Sequence, residues 1–174
     1  LFTIPALDRD EARFAQASKQ MVESGDFVDI RFQEKPRYKK PAGTYWLQAL
    51  SVNLFSAGKL NEIWPYRIPS LFAAIIAVIG TYFLAKIFLP PSGAVIAGII
   101  LSSAPLMIGE AHMAKSDALL LEALVAAQYG LIRTYKKQTN WLTWACFSGG
   151  AGLVVMIKGP IAPLIILLTI FAIS

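Results

Sequence analysis

IPSLFAAIIAVIGTYFLAKIFL, residues 68–89, is the stretch that decides the fold. It carries one charged side chain, Lys86, and a helix of this length rises far enough to cross the roughly 30 Å hydrocarbon core of a bilayer. Further apolar segments follow, so the sequence predicts an all-α polytopic membrane protein, a bundle of transmembrane helices. The other predicted spans lie at about 93–111, 117–135, 141–157 and 160–174.

The composition also indicates a membrane protein. Hydrophobic residues make up 56% of the 174 residues and charged residues only 16%, against roughly a quarter charged in a soluble domain. The net charge is +5, but Lys and Arg are not gathered into one strip with aromatic residues. We therefore expect membrane lipids, and no nucleic acid, as partners. With one cysteine and one histidine, the chain cannot build an internal disulfide or a Cys/His zinc cluster.

Residues 8–65 form the polar part of the chain. A stripe of apolar and small residues predicts an amphipathic helix over about 10–24, lying at the membrane surface. A second amphipathic helix is predicted over TYWLQALSVNLF, ended by Gly58, and the segment between the two indicates a loop. The predicted division is the end of a first transmembrane helix at 1–7, an external catalytic loop at 8–65, and transmembrane helices at 66–174, truncated, within a larger membrane protein.

The orientation in the membrane follows from one short basic connection. Arg133, Lys136 and Lys137 surround it, and short loops rich in Lys and Arg stay in the cytoplasm. Alternation of the spans then places residues 8–65 and the connection GEAHMAKSD on the external side. Carboxylates at both places face one boundary of the membrane, where ionisable residues are functional candidates.

Four carboxylates are weighed for acid–base chemistry. Asp10 and Glu11 begin the first amphipathic helix, where they serve either as helix-terminal charges or as a general base towards an acceptor hydroxyl. Asp117 follows Ser116, which could cap the next span. Glu122 lies deeper in the same apolar run, and either pairs with a Lys or Arg or touches a substrate.

Basic residues near aromatic ones are the candidates for phosphate binding. The segment PRYKKPAGTYW, residues 36–46, is either a solvated basic loop or a phosphate clamp built by Lys39 and Lys40 beside Tyr38 and Tyr45. Lys158, before Gly-Pro, is either a snorkelling lysine at a helix break or a contact for an anionic head group.

Taken in order along the chain, these motifs resemble integral-membrane glycosyltransferases of the GT-C type. DRDEARFAQASKQMVESGDF is similar to the first external loop of the aminoarabinose-transferase and protein O-mannosyltransferase-related families, with its Asp-Glu pair and Arg-aromatic pair. PRYKKPAGTYWLQA is similar to their Tyr-x-Glu-Lys-Pro-Pro…Tyr-Trp segment, KSDALLLE to their Asp-bearing helix start, and MIKGP to their Lys-Gly-Pro.

The resemblance implies a site assembled from the external loop and the adjoining helix ends. It makes Asp10 the catalytic base or the carboxylate that orients the acceptor, and Asp117 a second acidic residue. Lys40 would be the contact for the lipid phosphate, with Lys158 as a secondary candidate. Lys39 stands where these families often have Glu, which leaves open whether a divalent metal takes part; no other cofactor is expected. The predicted catalytic residues are Asp10, Glu11 and Asp117, and the predicted substrate and lipid-phosphate contacts are Arg13, Tyr38, Lys39, Lys40, Tyr45 and Lys158.

The function implied is transfer of a sugar from a polyprenyl-phosphate donor to a lipid A-like or protein acceptor. The expected location is the bacterial inner membrane, multi-pass, with the site facing the periplasm. A secondary transporter or lipid flippase fragment, in which Asp117 and Glu122 couple ions, is the rival of another class, and a non-catalytic membrane subunit is a third. Transporters usually hold their charged sites near mid-bilayer on broken helices, whereas the candidates here gather at one boundary.

Overall fold

The computed structural model describes residues 4–6, 8–161 and 163–173, and over them it has eight α-helices and one two-stranded hairpin. This architecture confirms the predicted all-α membrane fold. In chain order the elements are α1 (Arg9–Ser24), β1 (Arg31–Phe32), β2 (Lys35–Pro36), α2 (Gly43–Phe55), α3 (Trp64–Ala85), α4 (Pro91–Ser103), α5 (Pro105–Ala111), α6 (Asp117–Tyr135), α7 (Trp141–Lys158), a 3₁₀ turn (Gly159–Ile161) and α8 (Pro163–Ile173).

Two of the described helices, α3 and α7, are each long and apolar enough to cross a membrane. The span predicted over 93–111 is not one helix, because α4 and α5 meet at a bend of 64°. Ala104 between them is extended, with φ −63° and ψ 124°, because Pro105 disfavours the α conformation in the residue before it. The prediction of a continuous helix there was wrong, and the segment is a bent pair.

The spans predicted over 117–135 and 160–174 correspond to α6 and to the 3₁₀ turn with α8. α6 packs along α3 on one side and α7 on the other, and it is more polar than either neighbour because Asp117, Glu122 and Arg133 interrupt it. The last predicted segment, 160–174, begins as a 3₁₀ turn and continues as α8. At 11 residues, α8 is shorter than the roughly 20 residues that span a bilayer.

Helix α2 has its polar side chains inside and its large apolar ones outside. Gln48 and Ser51 are buried, whereas Leu50 and Leu54 are 56% and 66% exposed. In water this distribution would be unfavourable, but hydrocarbon is as apolar as Leu, so an exterior of this kind suits a lipid surround. Leu50 and Leu54 of the predicted apolar stripe therefore face outwards, whereas its Tyr45 is buried.

The loop expected between the two amphipathic helices contains a short antiparallel hairpin. Arg31 faces Pro36, and Phe32 faces Lys35. Gln33 at its turn has φ 58° and is held by Gln20 of α1, whose side chain exchanges two hydrogen bonds with the Gln33 backbone, at 2.7 and 3.2 Å.

Helices α6 and α7 approach closely through glycines. A Cβ atom added to Gly150 would lie 2.6 Å from the Ala123 carbonyl oxygen and 2.6 Å from the Ala127 nitrogen of α6. At Gly130 of α6, an added Cβ would lie 2.6 Å from the Thr143 carbonyl oxygen of α7. Small residues that let helix backbones touch are a common means of association in membranes, where dispersion contacts replace the hydrophobic effect.

Helix α1 is anchored to α3 by a buried ion pair. The Arg67 guanidinium donates to both oxygens of Glu11, at 2.8 Å from Nε and 3.2 Å from Nη2. The two side chains are 5% and 0% exposed. Arg67 also donates to the carbonyl oxygens of Ile4 and Pro5, so one guanidinium joins the entry to α1, α1 itself and the N-terminal end of α3.

Replacing Gly150 with alanine should destabilise the α6–α7 pair. The added methyl group collides with α6 backbone atoms, and overpacking of this kind costs about 1–3 kcal/mol. The neighbouring Gly149 has open space around it, so Gly149→Ala should raise stability by about 0.5–1 kcal/mol through helix propensity. Thermal unfolding in detergent compares the two variants. Equal melting temperatures would contradict the close approach.

Replacing Arg67 with methionine should destabilise the fold far more than breaking a surface pair. Removing one partner of a buried ion pair typically costs about 3–5 kcal/mol. Arg13→Met is the control, because its 3.6 Å pair with Asp10 is largely exposed and should be worth less than about 1 kcal/mol. Unfolding of both variants in detergent tests this. Glu11→Gln added to Arg67→Met should restore part of the loss, since no buried charge then stands without its counter-ion.

Candidate active site

One group of predicted residues surrounds the Phe14 ring on α1. We call Phe14, Arg37, Lys40 and Tyr45 the aromatic–cationic cluster. Lys40 Nζ lies 5.0 Å from the centre of the Phe14 ring, and the Arg37 guanidinium carbon lies 5.7 Å from it. The Tyr45 ring is 5.2 Å from the same ring, and Arg37 Nε donates to the Tyr45 hydroxyl at 2.9 Å. Two cations are thus held over one aromatic face.

Asp10 stands one helical turn before Phe14, on the same side of α1. Its side chain is 54% exposed, and its only described ion pair is the 3.6 Å contact with Arg13. Burial raises the pKa of the Tyr45 hydroxyl, with Arg37 acting against this and the Asp10 carboxylate acting with it. In position, Asp10 is an accessible carboxylate on the same helix as Phe14.

A second group gathers where α5 ends and α6 begins. We call Asp8, Glu110, Lys115, Asp117 and Lys158 the carboxylate–lysine cluster. Lys115 Nζ lies 2.5 Å from Asp8 and 3.9 Å from Glu110. Lys158, the last residue of α7, lies 2.5 Å from the Asp117 carboxylate. Two positions predicted separately, 117 and 158, thus form one ion pair, and each of its side chains is partly open.

The charges of this second cluster act on one another. A hydrogen bond from Lys115 holds the pKa of Asp8 below its ordinary value. Burial opposes the charge on Lys115, but the hydrogen bond to Asp8 and the carboxylates of Glu110 and Asp117 outweigh it, so the pKa of Lys115 is raised. Asp8 therefore stays ionised and Lys115 stays protonated in neutral solution.

The segment that leads into α2, with the first residue of that helix, packs on the end of α7. A Cβ atom added to Gly43 would lie 2.6 Å from the Met156 carbonyl oxygen, and one added to Gly159 would lie 3.7 Å from Pro41. Gly159 has a positive φ of 71°, which glycine adopts without strain. Lys40 precedes Pro41, and Lys158 precedes Gly159, so this contact brings the two lysine-bearing segments together.

Glu11 is placed differently from Asp10. Besides Arg67, its Oε1 accepts a hydrogen bond from the Ala114 amide at 2.9 Å. The side chain has no exposed surface. Glu11 therefore links α1 to the loop between α5 and α6, and its neighbour Asp10, about 100° further round the helix, faces outwards.

The remaining predicted contacts lie at varied depths. The Tyr38 side chain is 73% exposed and donates to Asp29 at 2.8 Å, a bond that raises the pKa of Tyr38. Lys39 is exposed. Tyr45 is fully buried, so its hydroxyl contacts Arg37 and is closed to a substrate.

Several residues of the two clusters, and Arg67 beside them in the fold, were absent from the predicted site. Arg37 lay inside the basic segment 36–46, and Phe14 follows Asp10 at helical spacing, so both carried a local signal. Lys115 and Arg67 carried none, because their partners are distant in sequence. Among the described residues, no three His, Cys, Asp or Glu side chains come together as ligands for a metal ion.

Known structures share this fold. The chain superimposes on the crystal structure of ArnT from Cupriavidus metallidurans in the apo state with a TM-score of 0.80, at 20% identity, covering 93% of this chain and 30% of that one. The structure of the same protein bound to undecaprenyl phosphate gives a TM-score of 0.82 at 21% identity, with the same coverage.

Sequence relatives agree. The undecaprenyl phosphate-alpha-4-amino-4-deoxy-L-arabinose arabinosyl transferase of Yersinia pestis (strain Pestoides F) is 28% identical over 158 residues. The protein of that name from Pseudomonas paraeruginosa is 27% identical over the same length. Both alignments cover 88% of this chain and 28% of the relative, so the chain spans less than a third of these relatives.

The family comparison covers most of the chain. Residues 39–174 match the model of the family described as dolichyl-phosphate-mannose-protein mannosyltransferase. That range includes the basic segment from Lys39, all the transmembrane helices described above, Asp117 and Lys158. It agrees with the resemblance drawn from the short motifs, and with the all-helical fold. The chain belongs to the dolichyl-phosphate-mannose-protein mannosyltransferase family, a GT-C family.

Proposed function

We propose that the protein containing this chain transfers a sugar from a polyprenyl-phosphate donor to a hydroxyl group of a lipid or protein acceptor. The observation that carries the proposal is the packing of the Lys40-bearing loop on the end of α7, where Lys158 pairs with the Asp117 carboxylate. A transferase of this kind needs both charges, one to receive a proton and one to stabilise a phosphate leaving group.

The proposed reaction is a single displacement at the anomeric carbon. The acceptor oxygen forms the new bond to that carbon while the bond from the carbon to the phosphate oxygen breaks. The polyprenyl phosphate leaves with the electron pair, and the acceptor proton passes to the Asp10 carboxylate. One displacement inverts the anomeric centre. Asp10 suits this role because its carboxylate is accessible and paired only loosely with Arg13.

The proposed phosphate contacts are the lysines of both clusters. Lys40 and Arg37, over the Phe14 ring, supply two charges, and Lys158 supplies a third from the end of α7. Charge on the leaving oxygen grows during the displacement, so fixed cations stabilise the transition state more than the bound donor. We propose Lys39 and Tyr38, which are exposed on the same loop, as outer contacts for the donor.

Two predicted residues receive supporting roles. Glu11 is proposed to hold α1 in place so that Asp10 faces the acceptor, since its own carboxylate is buried against Arg67 and Ala114. Tyr45 is proposed to orient Arg37 through their hydrogen bond. Asp117 is the second acidic residue of the proposed site, and its charge is balanced by Lys158.

The relatives and the family support the proposed donor class. The names of the relatives and of the family both specify a sugar on a polyprenyl phosphate, although the sugars differ. We propose undecaprenyl phosphate as the lipid, and either a lipid A-like molecule or a protein as the acceptor. The proposed location is the bacterial inner membrane with residues 8–65 in the periplasm. Nucleotides are absent there, so the activated sugar has to arrive on a lipid.

Replacing Asp10 with asparagine should lower sugar transfer by about 10²–10⁴-fold, the usual contribution of a general base. The assay uses membranes with the full-length protein, radiolabelled undecaprenyl-phosphate sugar and extracted lipid or protein acceptors. Asp26→Asn is the matched control, because Asp26 caps a turn of the external loop through its Oδ1, which asparagine retains. Unchanged transfer by Asp10→Asn would refute the proposed base.

Replacing Asp117 with asparagine should tighten binding of undecaprenyl phosphate by about two- to fivefold. The partly exposed pair with Lys158 competes with the phosphate for the same ammonium, and such pairs are worth up to about 1 kcal/mol. Lys158→Met should loosen binding by about tenfold, since a hydrogen bond to a charged group is lost.

The measurement is titration of purified protein in detergent with undecaprenyl phosphate. The double variant should bind like Lys158→Met alone, and Asp26→Asn should bind like the wild type. Looser binding by Asp117→Asn would mean that Asp117 orients Lys158 for the phosphate instead of competing with it.

A further inference from the structure

A buried glutamine on α2 reaches the loop between α5 and α6. Gln48 has no exposed surface. Its Oε1 accepts a hydrogen bond from Ser18 of α1 at 2.7 Å, and its Nε2 donates to the Ala114 carbonyl oxygen at 3.1 Å. One side chain thus joins α1, α2 and a loop that lies 66 residues further along the chain.

The same loop is held at two more backbone atoms. The Ala114 amide donates to Glu11 of α1 at 2.9 Å. The Lys115 carbonyl oxygen accepts from Ser70 of α3 at 3.0 Å. Three helices therefore grip two consecutive residues, each through a polar side chain that is itself buried. Hydrogen bonds that hold one short segment from several directions fix its position and rotation.

This segment carries charges of the carboxylate–lysine cluster. Lys115 pairs with Asp8, and Asp117, two residues later, begins α6 and pairs with Lys158. A displacement of the loop by about 1 Å would move both pairs, and misplacement on that scale can cost about a hundredfold in rate.

We propose that Gln48 and Ser70 are positioning residues, which hold the Ala114–Lys115 backbone so that Lys115 and Asp117 face the site. The proposal rests on the function proposed above for that site. Gln48 is the sharper of the two to test, because it makes one bond as an acceptor to Ser18 and another as a donor to Ala114. The bond with Ser18 joins α2 to α1, and only the bond to Ala114 holds the loop.

Gln48→Glu separates the two bonds through pH. A protonated glutamic acid accepts from Ser18 and donates to the Ala114 carbonyl, as glutamine does. An ionised one still accepts from Ser18 but cannot donate, and it adds a second carboxylate near Glu11. Burial raises the pKa of a carboxyl group, so the proton is lost only as the pH rises. The loop contact is then intact at low pH and broken at high pH, while the packing contact persists throughout.

The expected result is a new alkaline limb in the activity of Gln48→Glu. Relative to wild type at the same pH, sugar transfer in membranes with the full-length protein should be near normal at about pH 6 and fall roughly tenfold by about pH 9. Gln20→Glu is the matched control, because Gln20 also holds a backbone segment with both ends of its amide. That segment is the hairpin turn at Gln33, and not the loop before Asp117. It should show no such limb.

Hydrogen–deuterium exchange supplies a readout that needs no donor or acceptor. Amides of residues 112–116 should exchange faster in Gln48→Glu than in wild type at the higher pH only, with Gln20→Glu unchanged. Exchange like that of wild type at both pH values would overturn the proposed grip on the loop. Altered exchange with a wild-type pH profile of transfer would overturn the positioning role. Altered exchange with no transfer by the wild type would leave the grip standing and refute the proposed function.

Discussion

Glu11 and Arg67 form an ion pair in the interior of the protein. The packing of α1 on α3 and on the loop between α5 and α6 depends on that pair. A charge removed from water is tolerated only with a counter-ion and hydrogen bonds around it. Here the guanidinium takes both carboxylate oxygens, and the Ala114 amide adds another donor. Since α1 is rigid, anchoring Glu11 also fixes the direction in which its neighbours on the helix point. The exposed carboxylate of Asp10 owes its position to the buried one beside it.

The regular elements were largely predictable, because they follow from local chemistry. Apolar segments long enough to cross a bilayer declare themselves by length, and the first amphipathic helix, predicted over about 10–24, is α1 (Arg9–Ser24). The bend between α4 and α5 was not predicted, although the sequence Ala104-Pro105 indicates it. Hydropathy outweighed backbone sterics in that prediction, and the proline decided the structure.

The candidate site was predictable in its residue types but not in its pairings. Asp10, Lys40, Asp117 and Lys158 were selected from short motifs. Lys40 lies in the aromatic–cationic cluster, Asp117 and Lys158 lie in the carboxylate–lysine cluster, and Asp10 stands one helical turn before Phe14. No local pattern could show that Asp117 and Lys158 form one pair, 41 residues apart, or that Glu11 contacts an amide 103 residues away. Those contacts arise from the stacking of helices, and a sequence reveals helix faces more readily than the neighbours that those faces find.

The close glycine contacts between α6 and α7 bear on how the protein enters the membrane. Glu122, inside the apolar run of α6, disfavours insertion of this helix on its own, since a charged residue near the centre of an inserting helix costs about 2.5–3.5 kcal/mol. α7 is far more apolar and follows after a short turn. Because their backbones touch at Gly130 and Gly150, we expect the two helices to leave the translocon together as one hairpin. The apolar α7 would then favour insertion of the more polar α6. Substitutions at these glycines would then reduce insertion of α6 during synthesis, before the protein has folded.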